Sequence, residues 1–148
     1  MQADAPEPKV SYRALSASDY AGMMDLIVSD GGHADRDGQE SPERIGAFLE
    51  RNTNYCFAAV VGGSLIGVIM CGCDGRSARI YHLNVSPEWR RRGVAHALIG
   101  LAYGALRSEG VDVVDVIVFR EDPGTEFWDA EGFRDRDDLS YRDFSLSD

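Results

Sequence analysis

The chain has 148 residues, 44% hydrophobic and 27% charged, which suits one domain around one core. Acidic residues outnumber basic ones by 25 to 15, a net charge of −10, and that speaks against broad nucleic-acid binding, which phosphate neutralisation drives. No apolar run approaches the roughly 20 residues of a membrane-spanning helix, so no membrane partner is expected.

Residues 1–9 are acidic and proline-bearing, without the basic and apolar regions of a signal peptide. They read as a disordered tail before a single domain over residues 10–148 of a cytoplasmic protein. Lysine is nearly absent, Lys9 standing alone. The acidic balance accommodates a cationic or amine-bearing partner more easily than an anionic one.

Val10 to Leu15 reads as a first strand. Ser18 is the expected N-cap of a helix whose apolar face is Tyr20, Met23, Met24 and Ile27. Gly31 to Gln39 is a polar loop, and its Asp35-Arg36-Asp37-Gly38 lacks the glycine placement and terminal glutamate of a calcium loop. Ser41-Pro42-Glu43 has the composition of a helix start, and Ile45, Phe48 and Leu49 supply the buried stripe. Tyr55 to Val61, Gly62-Gly63 and Ser64 to Cys71 predict a hairpin with a two-glycine turn. Asp74-Gly75 is a further turn before a strand over Arg79 to Val85. Val94, Leu98, Leu101, Ala102 and Ala105 predict a helix ending near Gly110. Val111 to Phe119, nearly all apolar and β-branched, reads as a central strand. A short helix opens at Asp122-Pro123 and closes at Gly132, and Leu139 to Phe144 reads as a last strand. The pattern is α/β with a mixed sheet.

Cys71 and Cys73 lie two apart in an apolar stretch, and half-buried thiols account for them better than a redox or metal pair. His33, His82 and His96 are scattered, and no metal site is expected.

The stretch Ser86-Pro87-Glu88-Trp89-Arg90-Arg91-Arg92-Gly93-Val94-Ala95-His96 concentrates positive charge where a strand ends and a helix begins. The first N–H groups of a helix lack internal partners and carry the positive end of its dipole, so they bind phosphate. Gly93 lets the backbone approach an anion, and arginines add donors. The alternative is a plain helix end with surface arginines.

Arg90 to Ala95 matches the R/Q-x-x-G-x-G/A pattern of the GNAT N-acetyltransferase superfamily, and Leu83 to Trp89 resembles that family's approach to it. Phe127-Trp128-Asp129-Ala130-Glu131-Gly132-Phe133 resembles its F-Y-x-x-x-G-F element. The order of elements fits over roughly residues 10 to 144, nearest to small bacterial members close to the ribosomal-protein N-terminal acetyltransferases. The resemblance implies a mixed, mostly antiparallel sheet of about 6–7 strands flanked by about 4 helices. It implies acetyl-CoA as cosubstrate, without a metal. The pyrophosphate would sit on the backbone of Arg91, Arg92, Gly93, Val94, Ala95 and His96 behind Arg90. The pantetheine arm would run beside Leu83, Asn84 and Val85.

The implied reaction is direct attack of an amine on the thioester, the amine belonging to a protein N-terminus, a lysine or a small molecule. An oxyanion donor and a general acid for the thiolate are then needed. The family's usual tyrosine acid falls on Trp128, whose indole N–H donates but is no practical acid. A family asparagine falls on Glu121 and a family glutamate on Arg79. Tyr81, on the strand face of Arg79, is the remaining candidate for acid or polar orienter, and His82 is expected on the opposite side. Asp115 and Glu121 are candidate bases or amine holders. Core packing for Trp128 and Tyr81, and ordinary capping or solvation for the carboxylates, are the competing readings. A non-catalytic acyl-CoA-binding sensor or interaction module is the alternative function, and a monomer or homodimer is expected. The acceptor pocket is expected from the segment between residues 29 and 42 and from the last strands.

Overall fold

The computed structural model describes residues 8–30, 39–122 and 124–147. Most of the expected N-terminal tail, and the loop carrying His33 and Asp35 to Gly38, lie outside the described residues. The chain divides into two compact units, residues 1–117 and 118–148.

The first unit holds β1 (Ser11–Ala14), α1 (Tyr20–Ser29), α2 (Pro42–Arg51), β2 (Phe57–Val61), β3 (Ser64–Cys73), β4 (Ala78–Val85), α3 (Val94–Ser108) and β5 (Val114–Val116). The strands form one sheet in the order β1-β2-β3-β4-β5. All neighbours are antiparallel except β4 and β5, which are parallel. The β2–β3 hairpin turns at Gly62 and Gly63, whose φ values of 55° and 80° are those of a primed turn that other residues adopt at a cost.

Ser18 does not cap α1. It lies inside a short 3-10 turn, Ala17–Asp19, and Asp19 takes the cap position. The Asp19 carboxylate accepts from Ser16 N–H at 2.9 Å and from both Arg13 guanidinium nitrogens at 2.7 and 2.8 Å. That carboxylate makes no capping bond to α1; it closes the 3-10 turn and pairs with β1 instead. At α2 the expected start holds: the Ser41 hydroxyl accepts from Arg44 N–H at 3.2 Å, with Pro42 in the first turn.

The two faces of the sheet are covered differently. Met23, Leu26 and Ile27 of α1 and Ile45 and Leu49 of α2 bury against Ala58, Val68 and Met70. Each such aliphatic side chain, fully buried, contributes about 1.5–3 kcal/mol. On the other face, Val94 and Leu98 of α3 lie over Gly67, where a Cβ would meet them at 3.0 and 3.3 Å. The buried stripe of α3 is Val94, Leu98, Ile99, Ala102 and Leu106. Leu101, expected in that stripe, is exposed, because the contact line follows i, i+4, i+8 rather than i, i+3.

The sheet has five strands among the described residues, fewer than the 6–7 expected. Val111 to Phe119 forms only the three-residue β5, paired on one side, and Val113, Ile117 and Phe119 stay exposed. Leu139 to Phe144 forms no strand; Leu139, Tyr141 and Phe144 are exposed, and no described strand pairs with them. Alternation supplies a face, but a strand also needs a ladder partner.

The second unit contains α4 (Thr125–Ala130), the expected short helix. Trp128 packs edge-to-face with Phe127 and with Phe133, ring centroids 5.1 Å apart in each pair. Gly132, at φ 93°, turns the chain so that Phe133 N–H donates to the Trp128 carbonyl.

Candidate active site

The site is built around the second half of β4. β5 pairs with β4 only at Ala78, Arg79 and Ile80. From Tyr81 to Val85 that edge of β4 has no strand partner among the described residues, so its backbone groups face an opening between the strands.

β4 also carries an irregularity. Ile80 lies opposite Cys71 and His82 lies opposite Met70, so Tyr81 is the extra residue of a bulge. The extra residue cancels one step of strand alternation. His82 therefore shares the face of Met70, covered by α1 and α2, and the expectation that it points away from Tyr81 is corrected. Tyr81 meets Phe48 of α2 edge-to-face, centroids 5.4 Å apart, and is half exposed at 53%. A fully packed core tyrosine does not describe it.

His82 Nε2 lies 2.8 Å from Glu40 Oε1, and the two side chains are only 14% and 12% exposed. The Tyr20 hydroxyl donates to the Glu40 carbonyl at 2.5 Å and so ties this segment to α1. Asn84, two residues along the same strand face, donates through Nδ2 to Asp30 Oδ2 at 2.9 Å. Further up the strand, Arg79 Nε donates to Asp115 Oδ1 at 2.7 Å, a cross-strand ion pair between opposed residues of β4 and β5. That pairing engages both Arg79 and the candidate base Asp115.

Beyond β4, a short 3-10 turn (Pro87–Trp89) leads to the arginines. They are not equivalent. Arg90 is ion-paired with Asp30 at the end of α1. The Arg92 guanidinium stacks 4.8 Å over the Trp89 ring. Arg91, among the described residues, has no ion pair, and its φ of 62° puts a non-glycine residue in the left-handed region. Gly93 follows at φ 80° as N-cap of α3, with no capping side chain. The first helical bond runs from Ala97 N–H to the Gly93 carbonyl, which leaves the N–H groups of Val94, Ala95 and His96 outside the helical ladder. Left-handed residues flanking Arg92, followed by an uncapped helix start, make a concave array of N–H donors suited to an anion. Val94 and Val85 point inward as packing residues, Leu83 is half-buried, and His96 is exposed.

Of the sequence candidates, Tyr81, Leu83, Asn84, Val85 and residues 90 to 96 thus follow one path of the backbone, from β4 through the turn to the start of α3, in the first unit. Glu121 and Trp128 belong to the second unit, Glu121 exposed and Trp128 held among phenylalanines. Sequence reasoning missed the Glu40–His82 and Asp30–Asn84 contacts, although residues 29 to 42 were the expected acceptor segment. These pairs are 42 and 54 positions apart, and no local pattern announces them.

The cysteines play no part in this path. Cys56 and Cys71 are buried, and burial pushes their thiols up to about 11 and about 12. Among the described residues no cluster of three or more histidines, cysteines and carboxylates has the arrangement of a metal site. No helix of the described residues is long and apolar enough to cross a membrane.

The family model described as Acetyltransferase (GNAT) domain matches residues 31–145. The chain belongs to the GNAT acetyltransferase family. Within this family it is similar to an acetyltransferase of Photorhabdus laumondii subsp. laumondii, 35% identical over 77 residues that cover 52% of this chain and 54% of the relative. The chain spans about half the length of the curated relatives it matches. Its fold is similar to that of the PaiA N-acetyltransferase of Thermoplasma acidophilum in complex with coenzyme A. That match has a TM-score of 0.77 and 19% identity, over 87% of this chain and 92% of that one. It is also similar to AAC(6')-Iy in complex with the bisubstrate analogue CoA-S-monomethyl-acetylneamine. There the TM-score is 0.69 and the identity 18%, over 93% and 99% of the two chains. Among the described residues, the five-stranded mixed sheet and four α-helices are those of a GNAT-like α/β fold.

Proposed function

We propose that this GNAT domain transfers an acetyl group from acetyl-CoA to an amine by direct attack. The observation that carries the reading is the free β4 edge from Tyr81 to Val85 running into the uncapped start of α3 at Gly93. An anion held at the helix start and an extended arm added beside β4 use the N–H groups outside the helical ladder and the strand edge outside the sheet ladder together. The residues that would hold the pyrophosphate are the N–H groups of residues 92 to 96, with Arg91 as the added cation. Acetyl-CoA supplies the acyl thioester. The chain supplies position, a backbone donor on β4 for the developing oxyanion, and the Tyr81 hydroxyl as a polar group beside the bulge. The neighbour from Thermoplasma acidophilum, which was crystallised with coenzyme A, supports the choice of cosubstrate. The acidic balance of the chain favours a cationic acceptor.

A second reading, an acyl-CoA-binding module without catalysis, has one observation in its favour. Trp128 replaces the expected tyrosine and is engaged edge-to-face on both sides. Calorimetric titration with acetyl-CoA tests the cofactor site. Release of free CoA in the presence of spermidine, a lysine-containing peptide, an alanine-terminated peptide or kanamycin then separates enzyme from binding module. Wild type that does not bind acetyl-CoA at millimolar concentration overturns both readings.

A further inference from the structure

We propose that His82, held by Glu40, takes the proton from the acceptor's ammonium; this rests on the acetyltransferase reading above. Three observations converge on it. The first is position. An arm that starts at Gly93 and follows β4 backward along Val85, Asn84 and Leu83 reaches the bulge at Tyr81 and His82, where β4 and β5 begin to pair. The reacting thioester end then lies at these residues. The same bulge turns His82 to the face covered by α1 and α2, where Glu40 meets it.

The second observation is the hydrogen bonding of the ring. A carboxylate only accepts, so Nε2 donates to Glu40 and the neutral imidazole keeps its lone pair on Nδ1. Among the described residues, Nδ1 has no partner. Glu40 is a positioning residue: it fixes the tautomer and stabilises the imidazolium that forms. The Tyr20 hydroxyl fixes Glu40 in turn through its backbone carbonyl.

The third observation is a pair of orphaned acceptors. Glu40 Oε2 and Asn84 Oδ1 are buried without a donor among the described residues, and Asn84 is only 8% exposed. Buried acceptors without donors are unfavourable. Both belong to the small cluster around His82, on one face of the sheet. A group that brings several N–H donors and a positive charge satisfies them, and a primary ammonium has three.

The step balances simply. One N–H bond of the ammonium breaks, its electron pair stays on nitrogen, and the proton goes to His82 Nδ1. The amine attacks the thioester carbon, forming C–N. Collapse breaks C–S, and the second amine proton goes with the departing thiolate to give CoA as the thiol. His82 then returns its proton to solvent. The titratable groups toward His82 are Tyr20 and Asp30 of α1 and its end, Glu40 before α2, Arg79 and Tyr81 on β4, Asp115 on β5, and Arg90; Asp25 of α1 and Glu43, Arg44, Glu50 and Arg51 of α2 are exposed. α3, with His96 and Arg107, covers the opposite face, and β3 presents Val68, Met70 and Gly72 here.

The test uses the full chain with its histidines labelled with nitrogen-15, and His82→Gln assigns the resonance. The expected wild-type spectrum shows neutral His82 as the Nε2–H tautomer, and Glu40→Gln loses that preference. A wild-type Nδ1–H tautomer overturns the proposal, and it is read whether or not an acceptor is known. In kinetics with the amine from the set above that releases CoA, His82→Gln lowers kcat by about 10²–10⁴-fold near neutral pH. Acetyl-CoA affinity stays at the wild-type value. The deficit shrinks as pH rises toward the ordinary lysine-type pKa of about 10.4, where the amine deprotonates unaided. A deficit equal at every pH, or none, overturns the assignment. Wild type that fails to bind acetyl-CoA overturns the underlying reading instead, so the two failures are distinct.

Discussion

Gly93 and Gly110 are a matched pair made by the fold itself. Their φ values are +80° and +79°, and a Cβ at either would meet no atom within 4 Å. Replacing either by alanine therefore costs only the left-handed backbone, about 1–2 kcal/mol. In a chain of this size each kcal/mol lowers Tm by about 2–4 °C, so both variants should melt about 2–8 °C below wild type by the same amount. Their effect on acetyl-CoA should differ. The Cβ of Gly93→Ala projects into the open space where the proposed reading puts the anion, while that of Gly110→Ala lies beyond the far end of α3. Loss of one N–H bond to a charged phosphate costs about 1.5–3 kcal/mol. Affinity by calorimetry should fall about tenfold to about a hundredfold for Gly93→Ala and stay unchanged for Gly110→Ala. Equal affinities in the two variants would refute the cradle, because they share everything except position.

The remaining predictions concern packing, thiols and ion pairing. Gly67→Ala places a methyl 3.0 Å from Val94 Cγ1 and 3.2 Å from Ala59 Cβ, and should lower stability by about 1–3 kcal/mol in urea unfolding. Titration of native protein with a thiol reagent at pH 8 should find Cys73 alone reactive, since burial raises the Cys56 and Cys71 thiols to about 11 and about 12; all three should react after unfolding. The Arg13 guanidinium bonded to Asp19 holds its carboxyl below the usual carboxylate range. A depressed folded value adds stability above the unfolded pKa of about 3.9 and loses it as pH falls through the folded value. Asp19→Asn should therefore melt below wild type at pH 7, and the gap should close under strongly acidic conditions.

What the sequence made legible was whatever chemistry acts within a few residues. Gly62-Gly63 forces the hairpin, Ser41-Pro42 starts α2, and Gly93 before the apolar pattern of Val94 and Leu98 marks the start of α3. Contacts that close over long spans were not legible. A helical stripe can be drawn through Leu101 or through Leu106, and only the sheet's position selects Leu106. Leu139 to Phe144 alternates like a strand, yet alternation cannot announce a missing ladder. The bulge at Tyr81 is the clearest case. It depends on the register of β3 against β4, two strands of ordinary composition, and it reverses the side on which His82 stands.

The arginine triplet in an acidic chain also finds its physical sense at Asp30. That carboxylate receives Asn84 from β4 and Arg90 from the cradle, and it stands at the end of α1 where the segment toward Glu40 begins. An arginine at position 90 is thus spent on the protein's own negative charge, and with Asn84 it fastens the end of α1 to β4 and to the start of the arginine stretch. Arg92 is steadied on Trp89. Arg91, among the described residues, makes neither the ion pair of Arg90 nor the ring contact of Arg92. Its left-handed backbone places it next to the uncapped helix start, and the proposed reading gives it the anion. The local excess of positive charge therefore divides into one arginine paired with the end of α1, one stacked on the turn before α3, and one that the proposed reading leaves for the anion.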